Sequence, residues 1–412
     1  MTTIEKTKTN IDLIKNNLGI IDPDTILYVN YPFCSSRCNY CLYYMGDYSK
    51  NKSKIFLEYL NKEINLYYKY LNRQKFKEIH IGRGTPSLIS PKKLLEPLNK
   101  LADFNHIENF IMEIFPMPNL DEYLEKLKKY GITKINLGVQ TLNQKILKNE
   151  NRIIQTKIIM ENLNILRESG LSWSVELIYG LNDYGAKRNY IMELKKILAF
   201  KPSSFHLYNI RSQKENNFYN KNSKKNSGIK YMDAFDFKQI SSLLKENNYS
   251  LIGDEWCLGS DKKNVYYADK RGLLYDEPYV LGIGLWARSR SRKLKYRNTK
   301  NLNEYKKMLN DGLFPIAELF DYKKKYFLVA NLLLSVSQSS SFDLKKLFSI
   351  PQVTNIEKKE VYDIIQWLQY KKIIIEKNGD NFIIPRPEYS RTIMLIEKYL
   401  KNKSGQNYFY KN

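Results

Sequence analysis

Three of the four cysteines in this 412-residue chain fall within eight positions, as Cys34, Cys38 and Cys41 of the run YPFCSSRCNYC. A thiolate is a soft ligand, suited to iron–sulfur clusters or to zinc. Three thiolates on one tight loop can hold three corners of a cubane. A structural zinc site asks for four ligands, yet no histidine is near and the fourth cysteine, Cys257, lies 216 residues beyond Cys41. The arithmetic favours a [4Fe–4S] cluster with three protein ligands and one open iron over a zinc site. Cys257 is a candidate catalytic thiol, weighed against the plainer reading of a buried cysteine packing as a small hydrophobe.

The C-x3-C-x2-C array, with the aromatic Tyr40 before its last cysteine, resembles the signature of the radical S-adenosylmethionine (SAM) superfamily. The longer string YVNYPFCSSRCNYC is similar to the subgroup around oxygen-independent coproporphyrinogen III oxidase and the haem chaperone, which reads Y-x-H-x-P-F-C-x3-C-x-Y-C. Tyr28, Pro32, Phe33 and Tyr40 match, and Asn30 stands where that pattern has histidine. The resemblance implies that the open iron is chelated by the amino and carboxylate groups of SAM. Electron transfer from the cluster then yields methionine and a 5′-deoxyadenosyl radical. It also implies a reducing electron donor such as flavodoxin or ferredoxin, and places Tyr28, Phe33 and Tyr40 among the cofactor-binding residues.

Further segments extend the likeness over residues 26–315. Gly82-Arg83-Gly84-Thr85-Pro86 resembles the G-G-G-T-P loop that holds the amino group of SAM, which implicates Gly82, Gly84 and Thr85, with Arg83 in place of a middle glycine. Glu113 in MEIFP matches the glutamate of L-E-x-N-P, with Phe115 at the asparagine. Gln140 closes a segment similar to S-I-G-V-Q. Arg152 matches the arginine of a G-R pair that can clamp a carboxylate bidentately. Glu176 and Asn182 replace the aspartate and the proline of D-L-I-Y-G-L-P. An acid at Glu176 together with Gln140 permits two SAM molecules. His80 reads as a packed or hydrogen-bonded residue and His206 as a structural strand residue, neither as a catalytic base. Lys263 stands where the chaperone-like members carry a histidine associated with haem.

The elements that must position these residues are an alternation of strands and helices. Apolar runs at 26–29, 78–81, 109–115, 134–139, 171–179 and 204–210 read as six strands separated by helical stretches, the pattern of a parallel sheet or barrel. The fold expected is α/β, and the resemblance implies a partial (β/α)6 barrel. Residues 281–287 form a glycine-interrupted buried segment, and residues 216–230 a polar loop. Four segments are expected: a lead-in over 1–25, the barrel core over 26–255, a substrate-side region over 256–320, and a mostly helical, winged-helix-like domain over 321–412.

The composition, 43% hydrophobic with 33 tyrosines, supplies a sizeable core and argues against a disordered chain. No apolar run reaches 18 residues, so no transmembrane segment is expected, and few cysteines suit a reducing, cytoplasmic setting. The net charge of +24 is spread along the chain except for RSRSRKLKYRNTK at 288–300, with seven basic residues and no acid. That run is expected to be a solvated loop, with a phosphate or carboxylate patch as the alternative; nucleic-acid binding is the weaker option. Four functions fit the resemblance: a C-methyltransferase or related tailoring enzyme, a haem ring-opening enzyme, a coproporphyrinogen III decarboxylase and a non-enzymatic haem chaperone. The substrate expected is a small molecule, anionic or tetrapyrrole.

Overall fold

The computed structural model describes residues 25–181, 188–210, 234–252, 255–259, 280–290, 294–321, 341–349, 353–373, 376–384 and scattered positions within 328–336 and 392–399. The polar loop expected at 216–230, Asn182 and Lys263 lie outside the described residues.

Six strands run parallel and side by side in chain order: β1 (Ile26–Asn30), β2 (Glu78–Gly82), β3 (Asn109–Ile114), β4 (Lys134–Gln140), β5 (Ser172–Tyr179) and β6 (Ser204–Asn209). Each carries apolar residues at alternate positions, such as the buried Ile79 and Ile81, which pack outward in the main hydrophobic core. The intervening residues, Tyr28, His80, Glu113, Gly138, Glu176 and His206, share the other face, where the register aligns Tyr28 with His80 and Glu176 with His206. That inner face is polar, which marks it as a site rather than as core. The six expected strands are therefore present, in an α/β architecture.

The helix after the cysteine loop, α1 (Lys50–Leu71), starts where the Ser49 side chain accepts from the Lys52 amide, and it buries Phe56, Tyr59, Leu60, Ile64, Tyr67 and Leu71 at three- and four-residue spacing. It also buries Glu63, which is fully enclosed. The Glu63 carboxyl accepts from the Gly284 amide at 2.8 Å, from Asn298 Nδ2 at 2.7 Å and from the Tyr305 hydroxyl. Loss of hydration outweighs these three donors and pushes its pKa from 4.5 up to about 7. A raised acid binds its proton more tightly in the folded chain. Its contribution is full below the unfolded value and is lost as pH rises through the folded one. Stability should thus fall between about pH 4.5 and pH 7, by on the order of 3 kcal/mol from this group. Urea titrations across that window should show the fall, and Glu63→Gln should flatten it.

Beyond β6 the sheet extends at both edges. Antiparallel β7 (Tyr249–Ile252) and β8 (Glu255–Leu258) follow β6. On the other side β9 (Val280–Gly284) lies parallel to β1, and β10 (Arg288–Arg290), β11 (Leu294–Asn298) and β12 (Ile316–Asp321) continue antiparallel. This corrects the solvated loop expected at 288–300. Ser289 and Tyr296 are buried within the sheet, and Arg297 pairs with Glu318 and lies over the Trp286 ring. On β10 the partly buried Arg288 and Arg290 flank Ser289.

A second, separate core gathers Phe342, Leu347, Val361, Ile364, Leu368 and Phe382, among others. Its helix Asn355–Tyr370 opens on a capping box of Thr354 and Glu357, and the hairpin of Glu376–Asn378 with Asn381–Ile383 adds the strand Ser341–Asp343.

Candidate active site

The cysteine loop leaves β1 at its C-terminal end and is stitched to the glycine loop after β2. The Tyr31 amide donates to the Gly82 carbonyl at 3.0 Å, and the Thr85 amide to the Phe33 carbonyl at 2.8 Å. Two glycines are required by what crowds them. A Cβ on Gly82 would lie 2.1 Å from Glu113 Oε1. At Gly84, with φ +35°, a Cβ would lie 2.6 Å from the Tyr31 carbonyl oxygen and 2.7 Å from that of Phe33.

The three thiols are free and partly exposed. The Cys34 thiol is pushed up to about 11, chiefly by burial, with Cys41 and Cys38 adding to it and a Thr85 hydrogen bond opposing it. Burial also raises Cys41, against which the Tyr43 amide donates to its sulfur at 3.3 Å. Three thiolates this close oppose one another's ionisation, and a cationic iron centre removes that penalty. Among the described residues no three Cys, His, Asp or Glu side chains are arranged to hold one metal ion. A cubane does not demand it, because each thiolate binds a different iron. The donor set fits the cluster.

Arg152 closes one side of this loop. Its Nη1 lies 3.2 Å from the Tyr40 hydroxyl and 3.9 Å from Cys38 Sγ, its Nη2 donates to the Gly138 carbonyl, and its guanidinium lies 4.2 Å over the Phe115 ring. The buried Nε has no partner in the protein. Phe115, which stands at the asparagine of the resembling pattern, thus supplies the flat surface on which Arg152 rests.

On the inner face Glu113 accepts from the Arg83 amide at 2.8 Å and contacts His80 Nε2 at 2.8 Å. Burial alone would raise its pKa, but His80 and Arg83 together hold it below the usual carboxylate range. Glu176 moves the other way, raised by burial and by the charge of Glu113, while Gln140 Nε2 donates to its Oε2 at 3.4 Å. Two carboxyls with opposed shifts share one face of the sheet: one stays an acceptor, the other holds a proton more readily. Gln140 has φ +68°, and its Oε1 is buried without a partner. Its backbone is braced from below, where Arg188, paired with Glu193 at 2.9 Å, donates to the Gln140 and Ile178 carbonyls. Arg83, Gln140 and Asn151 all occupy the left-handed region without being glycine. Such strain collects where surrounding structure enforces it, commonly at ligand sites.

The structure thus brings together Cys34, Cys38, Cys41, Tyr40, Gly82, Gly84, Thr85, Glu113, Gln140, Arg152 and Glu176. Tyr28 joins them on the inner face, its ring centroid 5.1 Å from that of His80. Phe33 takes part through its carbonyl, because its ring packs against Tyr31 and Phe56 in the core. Cys257 is not brought in. It is fully buried on β8 and pairs with Ser204, the first residue of β6, away from the C-terminal strand tips where the cysteine loop gathers. Asn30 is buried, with Nδ2 donating to the Leu285 carbonyl, so it ties β1 to the segment after β9. His80 is hydrogen-bonded to Glu113, and His206, expected as a structural strand residue, lies on the same inner face in register with Glu176. The signal was their place in the alternation, two positions before Gly82 and two before Tyr208.

Comparison with known proteins agrees with this geometry. A profile of the radical SAM superfamily matches residues 28–192. An oxygen-independent coproporphyrinogen III oxidase of Helicobacter pylori is 23% identical over 373 residues, covering 85% of this chain and 79% of that protein. The haem chaperone HemW of Lactococcus lactis is 27% identical over 293 residues, covering 68% and 73%. The solved structure of the radical SAM enzyme coproporphyrinogen III oxidase (HemN) from Escherichia coli superposes with a TM-score of 0.78 at 19% identity, covering 94% of each chain, which is a likeness of fold. The chain carries, over residues 28–192, a domain of the radical SAM superfamily, whose cofactors are a [4Fe–4S] cluster and SAM.

Proposed function

We propose that this protein is a radical SAM enzyme that tailors a carboxylate-bearing organic substrate of the tetrapyrrole class, with methyl transfer as the outcome. The observation that carries the enzymatic part is the convergence of three free thiols, the Arg152 guanidinium and the Glu113–Glu176 carboxyl pair on one polar face. When bound, the cluster supplies the electron that cleaves SAM to methionine and a 5′-deoxyadenosyl radical. Cys34, Cys38 and Cys41 would hold it, and the ordered Gly82–Thr85 loop would support the cofactor's amino-acid end. Glu113, kept ionised by His80, suits a hydrogen-bonding partner of a cationic or hydroxyl group. Glu176, whose pKa is raised, suits a group that takes up or returns a proton. The tetrapyrrole class rests on what the similar proteins are called and on an excess of basic residues. Methyl transfer is favoured over decarboxylation because Asn30 is committed to Leu285 and because Leu42, not a further cysteine, follows Cys41. A flavodoxin or ferredoxin is the reductant proposed.

The test uses anaerobically reconstituted protein, a chemical reductant, SAM labelled in its methyl group, and coproporphyrinogen III or haem as the added substrate. The expected result is 5′-deoxyadenosine together with label in the tetrapyrrole product, read by mass spectrometry. Loss of carbon dioxide without label would select decarboxylation. Stoichiometric haem binding with no SAM turnover would select a chaperone.

A further inference from the structure

Arg83 is where this chain puts a guanidinium against the cysteine loop, at a position the resembling glycine-rich loop leaves without a side chain. Its backbone has φ +64°, a region that glycine enters freely and an arginine enters only at a steric cost. That cost is offset by contacts on three elements. The amide donates to Glu113 on β3, and the guanidinium hydrogen-bonds the Tyr28 side chain on β1 and lies 3.7 Å from the centroid of the Tyr43 ring. Tyr43 is two residues past Cys41, and its amide donates to the Cys41 sulfur. The guanidinium therefore clamps the downstream arm of the cysteine loop, as Arg152 clamps Cys38 from the other side. Its Nη1 is buried with no partner in the protein, leaving its N–H groups for an anionic neighbour. The nearest formal negative charge, Glu113, is already shared with His80.

We propose that Arg83 is a positioning residue for the cluster, fixing the Tyr43 arm of the cysteine loop and biasing the bound cluster toward its reduced state. The physical ground is that cluster potentials respond to net charge and to hydrogen bonds on the sulfurs. Uptake of one electron, delivered by an external one-electron reductant, adds one negative charge at the site. A fixed positive charge with a spare N–H lowers the free energy of the more negative state. This inference rests on the cluster being held at Cys34, Cys38 and Cys41.

The experiment is an anaerobic redox titration followed by electron paramagnetic resonance on full-length wild type, Arg83→Gln and Arg83→Lys, each with iron content measured. At a fixed solution potential, Arg83→Gln should show a reduced-to-oxidised ratio about tenfold lower than wild type, equivalent to about 59 mV for one electron. Arg83→Lys, which keeps the charge but loses the planar stack on Tyr43, should recover most of that ratio. A glutamine variant with full iron and a ratio within twofold of wild type would overturn the proposal. If the glutamine variant does not retain iron, the lysine variant decides: a tenfold fall there, with charge kept, overturns it, and a wild-type ratio supports it. Failure of wild-type protein to assemble any cluster would instead sink the assignment of the site.

Discussion

Changing Cys34, Cys38 or Cys41 to alanine should strip the protein of its cluster, while Cys257→Ala should leave it loaded. Each loop thiol would be the sole protein contribution to one corner, and a cubane with a missing corner ligand would be exposed to solvent and lose iron. The expected reading is a fall from about four irons per chain to well under one, with disappearance of the thiolate-to-iron absorption. Formation of 5′-deoxyadenosine from SAM should fall below detection in the same three variants. Cys257 differs because of where the fold puts it. It is enclosed on β8 opposite Ser204, and alanine there removes one buried sulfur. That should cost about 1–2 kcal/mol of stability with no loss of iron. Iron lost from the Cys257 variant, or retained in a loop variant, would contradict the ligand set.

The second large effect is expected at Gly84, a residue with no side chain to lose. Alanine there meets two carbonyl oxygens at 2.6 and 2.7 Å and the Phe33 amide at 2.9 Å, on a backbone held at φ +35°. None of these atoms belongs to a flexible side-chain end, so relief requires moving the chain immediately before Cys34. Overpacking of this kind costs about 1–3 kcal/mol, and the displaced segment carries Cys34, the first of the proposed ligands. Gly84→Ala should therefore lower the urea midpoint and also reduce iron retention, two readouts linked by one displaced strand end. Gly131→Ala is the matched control. Its Cβ meets nothing within 4 Å, so the φ of +81° brings backbone strain alone. A Gly84 variant that keeps its iron as firmly as the Gly131 variant would show that the two loops are not coupled.

Much of this was legible beforehand, for identifiable reasons. Runs such as EIHIG and KINLGVQ combine apolar alternation with a glycine at or near the C-terminal end, so the six parallel strands could be read from pattern. The cysteines were legible because soft ligands at short spacing have few other uses. What escaped was decided by contacts distant in sequence. The run VLGIG was recognisable as buried, but nothing local says that it lies parallel to β1, some 250 positions earlier. The arginine-rich hairpin of β10 and β11 looked like a loop because charge dominates its composition, whereas Ser289 and Tyr296 determine its burial. Arg188 and Glu193 are ordinary helix-entry residues in the sequence. Only the fold shows that they hold the carbonyls beneath Gln140. His80 and Arg83 were each visible but were not read as a pair, since their common partner, Glu113, comes from the next strand.

The position of β1 has a consequence for how the chain is made. That strand, the first in the sheet, is flanked by β2 on one side and by β9 on the other, and Glu63 reaches donors at Gly284, Asn298 and Tyr305. A chain emerging from the ribosome exposes β1 and the cysteine loop early, yet their second neighbour is translated only after residue 280. Until then β1 is an unguarded edge and Glu63 a carboxyl without its donors, a state open to mispairing. A cluster inserted before residues 280–305 are made would meet a loop whose root strand still lacks its second neighbour.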